Sequence, residues 1–181
     1  MRRFHFFKSL VFFASIAGTL VAANFSCVKR SEKLPEVDLV FYQDEMPIPS
    51  LVSETDGPER RAAMRLLEKS WEEERVMGNP RFFEQMEKAL AIDAQNPFLY
   101  YFMAKKSLSM QKWEKARLFS QKAQALFGQD VRWQAKAMVL GIEASLGLGK
   151  QSEAKAMWDR AKMLDPLNPR LTELGVENFS G

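Results

Sequence analysis

The chain has 181 residues, 46% of them hydrophobic and 12% aromatic, enough to bury one ordinary globular core with appendages, which excludes a wholly disordered chain. Its formal charge of +3 resides in the first eight residues, where Arg2, Arg3 and Lys8 stand without an acid; setting those three aside leaves 23 basic against 23 acidic residues. A balanced chain lacks the positive field that phosphate-backbone binding demands, so nucleic acid is not an expected partner.

In chain order, MRRFHFFK is a basic opening, and SLVFFASIAGTLVA at 9–22 is an uncharged apolar run ending in small residues. Together they read as an export signal over residues 1–26. A spanning helix needs about 20 apolar residues, a length reached only when Asn24 and its neighbours are counted. The single cysteine, Cys27, follows directly. The junction resembles a bacterial lipobox, with Ser26 as the small residue before the cysteine and Asn24 where Leu is usual. That resemblance implies lipidation at Cys27 and a membrane anchor through the N-terminal lipid. Val28 resembles the outer-membrane sorting pattern more than the inner-membrane Asp, which implies a protein facing the periplasm. Two other outcomes stay open: cleavage after Val21-Ala22-Ala23, giving a soluble periplasmic protein, and an uncleaved signal anchor. One cysteine allows no intramolecular disulfide in any of them.

Residues 27–58 hold prolines 35, 47, 49 and 58, four of the eight in the chain. Proline fixes φ and removes backbone donors, so this stretch is expected to be a flexible tether, with a root-mean-square span of roughly 30 Å. Within it, Val37-Asp38-Leu39-Val40-Phe41-Tyr42 is apolar for a linker. It reads either as a patch or short strand packed on the domain, or as a docking segment.

From Pro58 onward apolar residues recur at spacings of three and four, as in Trp113, Ala116, Phe119, Ala123 and Leu126. Asn-Pro at 79–80, 96–97 and 168–169 supplies a cap followed by a proline at the first helical position, where its missing N–H is not needed. The pattern predicts helices over 58–76, 80–92, 97–110, 112–127, 131–148, 151–164 and 169–177, with Gly128 and Gly149 as left-handed C-terminal caps.

A repeat underlies these helices. ALAIDAQNP at 89–97 returns as AKMLDPLNP at 161–169, and AQALFGQDV at 123–131 is a worn middle copy with Asp130 as cap. Ala89, Ala123 and Ala161 mark intervals of 34 and then 38 residues, and the four extra residues add about one helical turn between Asp130 and Ala154. A 34-residue helix-turn-helix unit resembles the tetratricopeptide repeat. The third unit is most like it, with Gly149 at the inter-helix turn, Ala154, Trp158, Ala161 and Pro166. The middle unit is similar through Tyr100, Met103-Ala104, Ala116 and Ala123. The first fits through Met86, Ala89 and the AIDAQNP ending, with Phe82 where a small residue is usual. The resemblance covers about 64–169 and implies an all-α, right-handed α-solenoid of about three units with a C-terminal capping helix, a domain over 59–178. Trp113, Phe119, Trp158 and the methionines are then core rather than a cofactor box.

Chemistry is sparse. The single histidine, His5, lies in the signal segment, so Ser-His-Asp and Cys-His catalysis and His-based metal sites cannot be assembled beyond it. No cofactor and no enzymatic activity are expected. Carboxylate chemistry needs only a pair of acids, but Glu72-Glu73-Glu74 points around successive sides of a helix as a solvated face. GLGK at 147–150 lacks the upstream glycine and the following Ser or Thr of a phosphate loop, and reads as a helix cap and turn.

The resemblance implies an interaction adaptor or scaffold of the cell envelope, taking a protein or peptide partner in a concave groove lined by the first helix of each unit. Carried onto this chain, the groove positions are Phe98, Tyr101, Lys105 and Leu108, then Arg132, Lys136 and Val139. Two further readings are a self-associating structural lipoprotein and a cell-wall hydrolase accessory with carboxylate chemistry.

Overall fold

In the computed structural model, which describes residues 47–175 and Phe179, the two echoed stretches fold into the same turn. Asp93 and Asp165 stand at φ −138° and −144°, each donating its N–H to the alanine four residues back, Ala89 or Ala161, at 3.0 and 2.9 Å. The Asn96 and Asn168 amides then close on Asp93 and Asp165 at 3.2 Å. Both Asn side chains accept from the residue after the proline, Phe98 N or Arg170 N, at 3.1 Å. The repeat is therefore a helix stop and a helix start written together. In the worn copy Asp130 caps instead, accepting from Trp133 N at 3.2 Å.

Seven helices follow in the described residues: α1 Pro58–Met77, α2 Phe82–Ile92, α3 Pro97–Ser109, α4 Trp113–Phe127, α5 Val131–Gly147, α6 Gln151–Leu164 and α7 Pro169–Leu174. With no strand among them, they form an all-α solenoid of three antiparallel pairs, α1–α2, α3–α4 and α5–α6, closed by α7. α3 has 13 residues and α5 has 17, so the one-turn insertion lies in the first helix of the third unit. No described helix is long and apolar enough to cross a membrane. The export run, Cys27 and the 37–42 segment lie outside the described residues, as do residues 176–178 of the expected domain.

Two expectations are corrected. The second helix starts at Phe82 rather than Pro80, because the Asn79 side chain accepts from Arg81 N at 2.9 Å and the Asn79 carbonyl accepts from Phe82 N at 3.1 Å, which spends Pro80 and Arg81 on a turn. Packed structure also begins upstream of residue 59. A short 3-10 turn, Ile48–Leu51, lies against α1, with Ile48 in the core and Leu51 and Val52 packed on it.

Small buried residues let the paired helices approach. Ala116 and Ala154, at matching places in α4 and α6, are fully buried, as are Ala89, Ala123 and Ala161. Phe82 occupies the first unit's equivalent place and is equally buried, its ring meeting Trp71 edge-on at 5.8 Å while Trp71 meets Phe102 at 4.8 Å. Around the fully buried Met64, Leu67, Phe82, Met86 and Leu99 each side chain contributes roughly 1.5–3 kcal/mol of burial free energy. A second cluster of Met138, Ile142, Ala154, Ala161 and Leu171 fills the far end, where Trp158 Nε1 donates to the Leu171 carbonyl at 2.8 Å. α7 is thus tied on by its backbone as well as by its leucine.

The turns close by two means. After α5, the Lys150 amide reaches Ser145 O at 2.8 Å and Gly149 N reaches Leu146 O at 2.9 Å, with Gly149 at φ 72°. This is the Schellman arrangement, and GLGK is its sequence. After α3 the same pair of bonds runs from Lys112 to Ser107 and from Gln111 to Leu108, but the left-handed position is held by Gln111 at φ 55°.

Candidate functional site

Two adjoining pockets lie along one face, and every helical residue lining them comes from a first helix or from α7. The α1–α3 pocket has a volume of about 620 Å³, with Trp71 in its wall, Glu68, Glu72 and Arg75 on α1, Lys105 and Lys106 on α3, and Pro47–Pro49 on the upstream turn. The α3–α5–α7 pocket has a volume of about 250 Å³ and takes Tyr101, Lys105 and Leu108 from α3, Lys136, Val139 and Glu143 from α5, and Arg170 from α7. Lys105 belongs to both, so the two join across α3. The second helices α2, α4 and α6 contribute nothing. Helical spacing explains why: Tyr101, Lys105 and Leu108 stand at i, i+4 and i+7, and so do Lys136, Leu140 and Glu143 at i, i+4 and i+7, each set a single stripe.

Five of the seven expected groove residues are therefore brought together: Tyr101, Lys105, Leu108, Lys136 and Val139. Two are not. Phe98 is turned into the joint between units, edge-on to Phe127 at 5.3 Å and to Trp133 at 5.0 Å. Arg132, one turn before Lys136, lies outside both pockets and is half-buried. Tyr101 is only 9% exposed, since its ring also packs on Phe102 and Trp133 at 5.5 and 5.4 Å. It forms the floor rather than the rim.

Charge along the groove is arranged in two ways. At the ends acids meet bases: Glu74 pairs with Lys106, Glu72 with Arg75 at 3.2 Å, and Arg170 with Glu143 at 3.0 Å and with Glu173 at 2.9 Å. The Glu173 hydrogen bond is the largest cause holding the Arg170 pKa above its ordinary value, which favours the charged guanidinium. In the middle, the half-buried Lys105 and Lys136 each lie over an indole, Lys105 Nζ 5.6 Å from the Trp71 ring centroid and Lys136 Nζ 4.8 Å from that of Trp133, a cation–π geometry. The triplet expected as a solvated face is not wholly so. Glu74 ties α1 to α3 through Lys106, and Glu73 accepts from Asn79 and Gln85 at 3.3 and 3.4 Å. Among the described residues no group of three His, Cys, Asp or Glu side chains could hold a metal ion.

Sequence reasoning did not find Trp71, Glu143, Arg170 and the Pro47–Pro49 turn as groove residues. Trp71 carried a signal in its position on the first helix of the first unit, the unit least like the repeat. Arg170 had none, because a capping helix has no place in the repeat pattern.

No family model and no curated protein matches the sequence. Among solved structures the fold is similar to the N-terminal domain of stress-induced protein-1 from C. elegans, at 19% sequence identity and a TM-score of 0.61, covering 68% of this chain and 98% of that one.

Proposed function

We propose that this protein is a binding module of the cell envelope, an adaptor that takes an extended peptide or a partner helix along the groove of α1, α3, α5 and α7 and is held at a membrane by a lipid on Cys27. One observation carries the binding part: every residue that a helix pair gives to the two pockets comes from its first helix, the upstream turn and α7 close the two ends, and the pockets join at Lys105. Stacked first helices present their stripes at a constant spacing, which suits a ligand with its own linear repeat of side chains. A groove with a rigid aromatic floor and cationic middle selects ligands that combine apolar side chains with acidic ones. The shared fold with a solved helical domain supports the architecture on which this rests.

Peptide-library selection on the immobilised full chain tests the binding part. Selected peptides should combine apolar and acidic residues, and Lys105→Glu with Lys136→Glu should weaken them about tenfold or more while melting stays unchanged. Peptides that bind equally well to this double variant would move the site to another face. Anchoring is tested by radiolabelled palmitate in cells expressing the wild type and Cys27→Ala. Label is expected in the first and absent from the second; no label in the wild type would leave a soluble or signal-anchored protein.

A further inference from the structure

Pro47, Ile48 and Pro49 are at once a wall of the α1–α3 pocket and the place where the upstream chain joins the domain. Ile48 is 5% exposed in the core, so this junction is fixed on the groove. Whatever precedes Pro47 is delivered at the groove's mouth. The preceding sequence is VDLVFYQDEM, residues 37–46, with three acids, no base and four consecutive apolar residues, Leu39 to Tyr42. We propose that residues 37–42 of the same chain occupy the groove in cis, crossing α3 toward α5, and that an outside partner binds by displacing them. This rests on the groove reading above and adds its resident ligand, and with it a means of regulation.

Reach, chemistry and concentration each support it. Residues 43–46 leave up to about 17 Å between Tyr42 and Pro47, and six extended residues span about 20 Å. Crossing from α1 past α3 to α5 takes two helix-packing steps of about 8–10 Å each, a matching length. Leu39, Val40, Phe41 and Tyr42 suit a groove whose walls and floor are Trp71, Tyr101, Leu108 and Val139. Asp38, Asp44 and Glu45 suit one whose middle carries Lys105 and Lys136. A short covalent connection raises the local concentration of the segment to the millimolar range, so even an intrinsic Kd of about 0.1 mM leaves the groove about nine-tenths filled. A segment too weak to bind from solution is then a resident ligand, and a partner needs correspondingly higher affinity to enter.

The test measures binding of a fluorescent peptide of residues 37–46 to the full chain, as wild type and as Phe41→Glu with Tyr42→Glu. Neighbouring residues of an extended segment point to opposite sides, so this pair disables the segment in either register. The variant should bind the free peptide about tenfold or more tightly than the wild type, and that binding should fall with added salt and with Lys105→Glu/Lys136→Glu. Equal binding by wild type and variant would mean the groove is empty in cis, and no binding by the variant would mean the segment is not a ligand; either overturns the inference. Library peptides assayed on the same variant separate the two readings. If they bind, the groove stands without its resident ligand; if they fail as well, the groove reading falls too. Should the double variant not fold, a Gly-Ser run of equal length in place of 37–42 serves the same comparison.

Discussion

At one matching place in the three units, the first pair carries Phe82 and the later two carry Ala116 and Ala154, all fully buried. The first pair fills its interior with large rings, Phe82 against Trp71 and Phe83 and through Trp71 to Phe102. The joint between the second and third pairs, α4 on α5, is built by close approach: a Cβ on Gly141 would lie 2.9 Å from Ser120 Oγ, and one on Gly147 would lie 2.5 Å from the Trp113 ring. Each end is also sealed differently, by the upstream turn with Ile48 at one and by α7 with Leu171 at the other. The turns at 93–97 and 165–169 match, as do those after α3 and α5, while the interiors do not, so the repeat keeps a way of reversing the chain and leaves the filling free.

Substitutions that exchange these two solutions should have unequal costs. Phe82→Ala imposes the later units' residue on the first pair without their close backbones, and the cavity beside Trp71 should cost about 3–5 kcal/mol by denaturant unfolding. An effect below about 1 kcal/mol would show that α1 and α2 can close as the later pairs do. Leu171→Ala opens the C-terminal seal and should cost about 2–4 kcal/mol, with the loss concentrated in hydrogen exchange of α5 and α6. Exchange that rises equally in α1 and α2 would contradict a local cap.

Gly147→Ala adds one methyl against Trp113 and should cost about 1–3 kcal/mol, although alanine is the better helix former by about 1 kcal/mol. A neutral or stabilising result would mean the indole can slide away. The smallest effect comes from the turns, where the same bonds are closed around Gly149 in one unit and Gln111 in another. Left-handed backbone is costly for a residue with a Cβ, so Gln111→Gly should stabilise by about 1 kcal/mol and Gly149→Ala should destabilise by a similar amount. Equal and opposite shifts in melting temperature would establish the two turns as one motif.

The chain's own pattern determined what depends on neighbours in sequence. Asn96-Pro97, Asn168-Pro169 and Asp130 set helix starts, Gly149 a helix end, the spacing of three and four the helices between them, and the 34- and 38-residue intervals placed the extra turn between Asp130 and Ala154, where the structure puts it in α5. These rest on local hydrogen bonds and on which face of one helix is apolar. Tyr101, Lys105, Leu108, Lys136 and Val139 were legible for the same reason, as stripes on first helices. Only the tertiary structure decided the rest. Phe98 belongs to a unit joint because Phe127 and Trp133, 29 and 35 residues away, come to meet its ring. Ile48 belongs to the core, and Arg170 to the groove, because α1 and α5 lie beside them. A local motif carries its geometry with it; which side chain covers which becomes fixed when separate helices share the burial of one apolar surface.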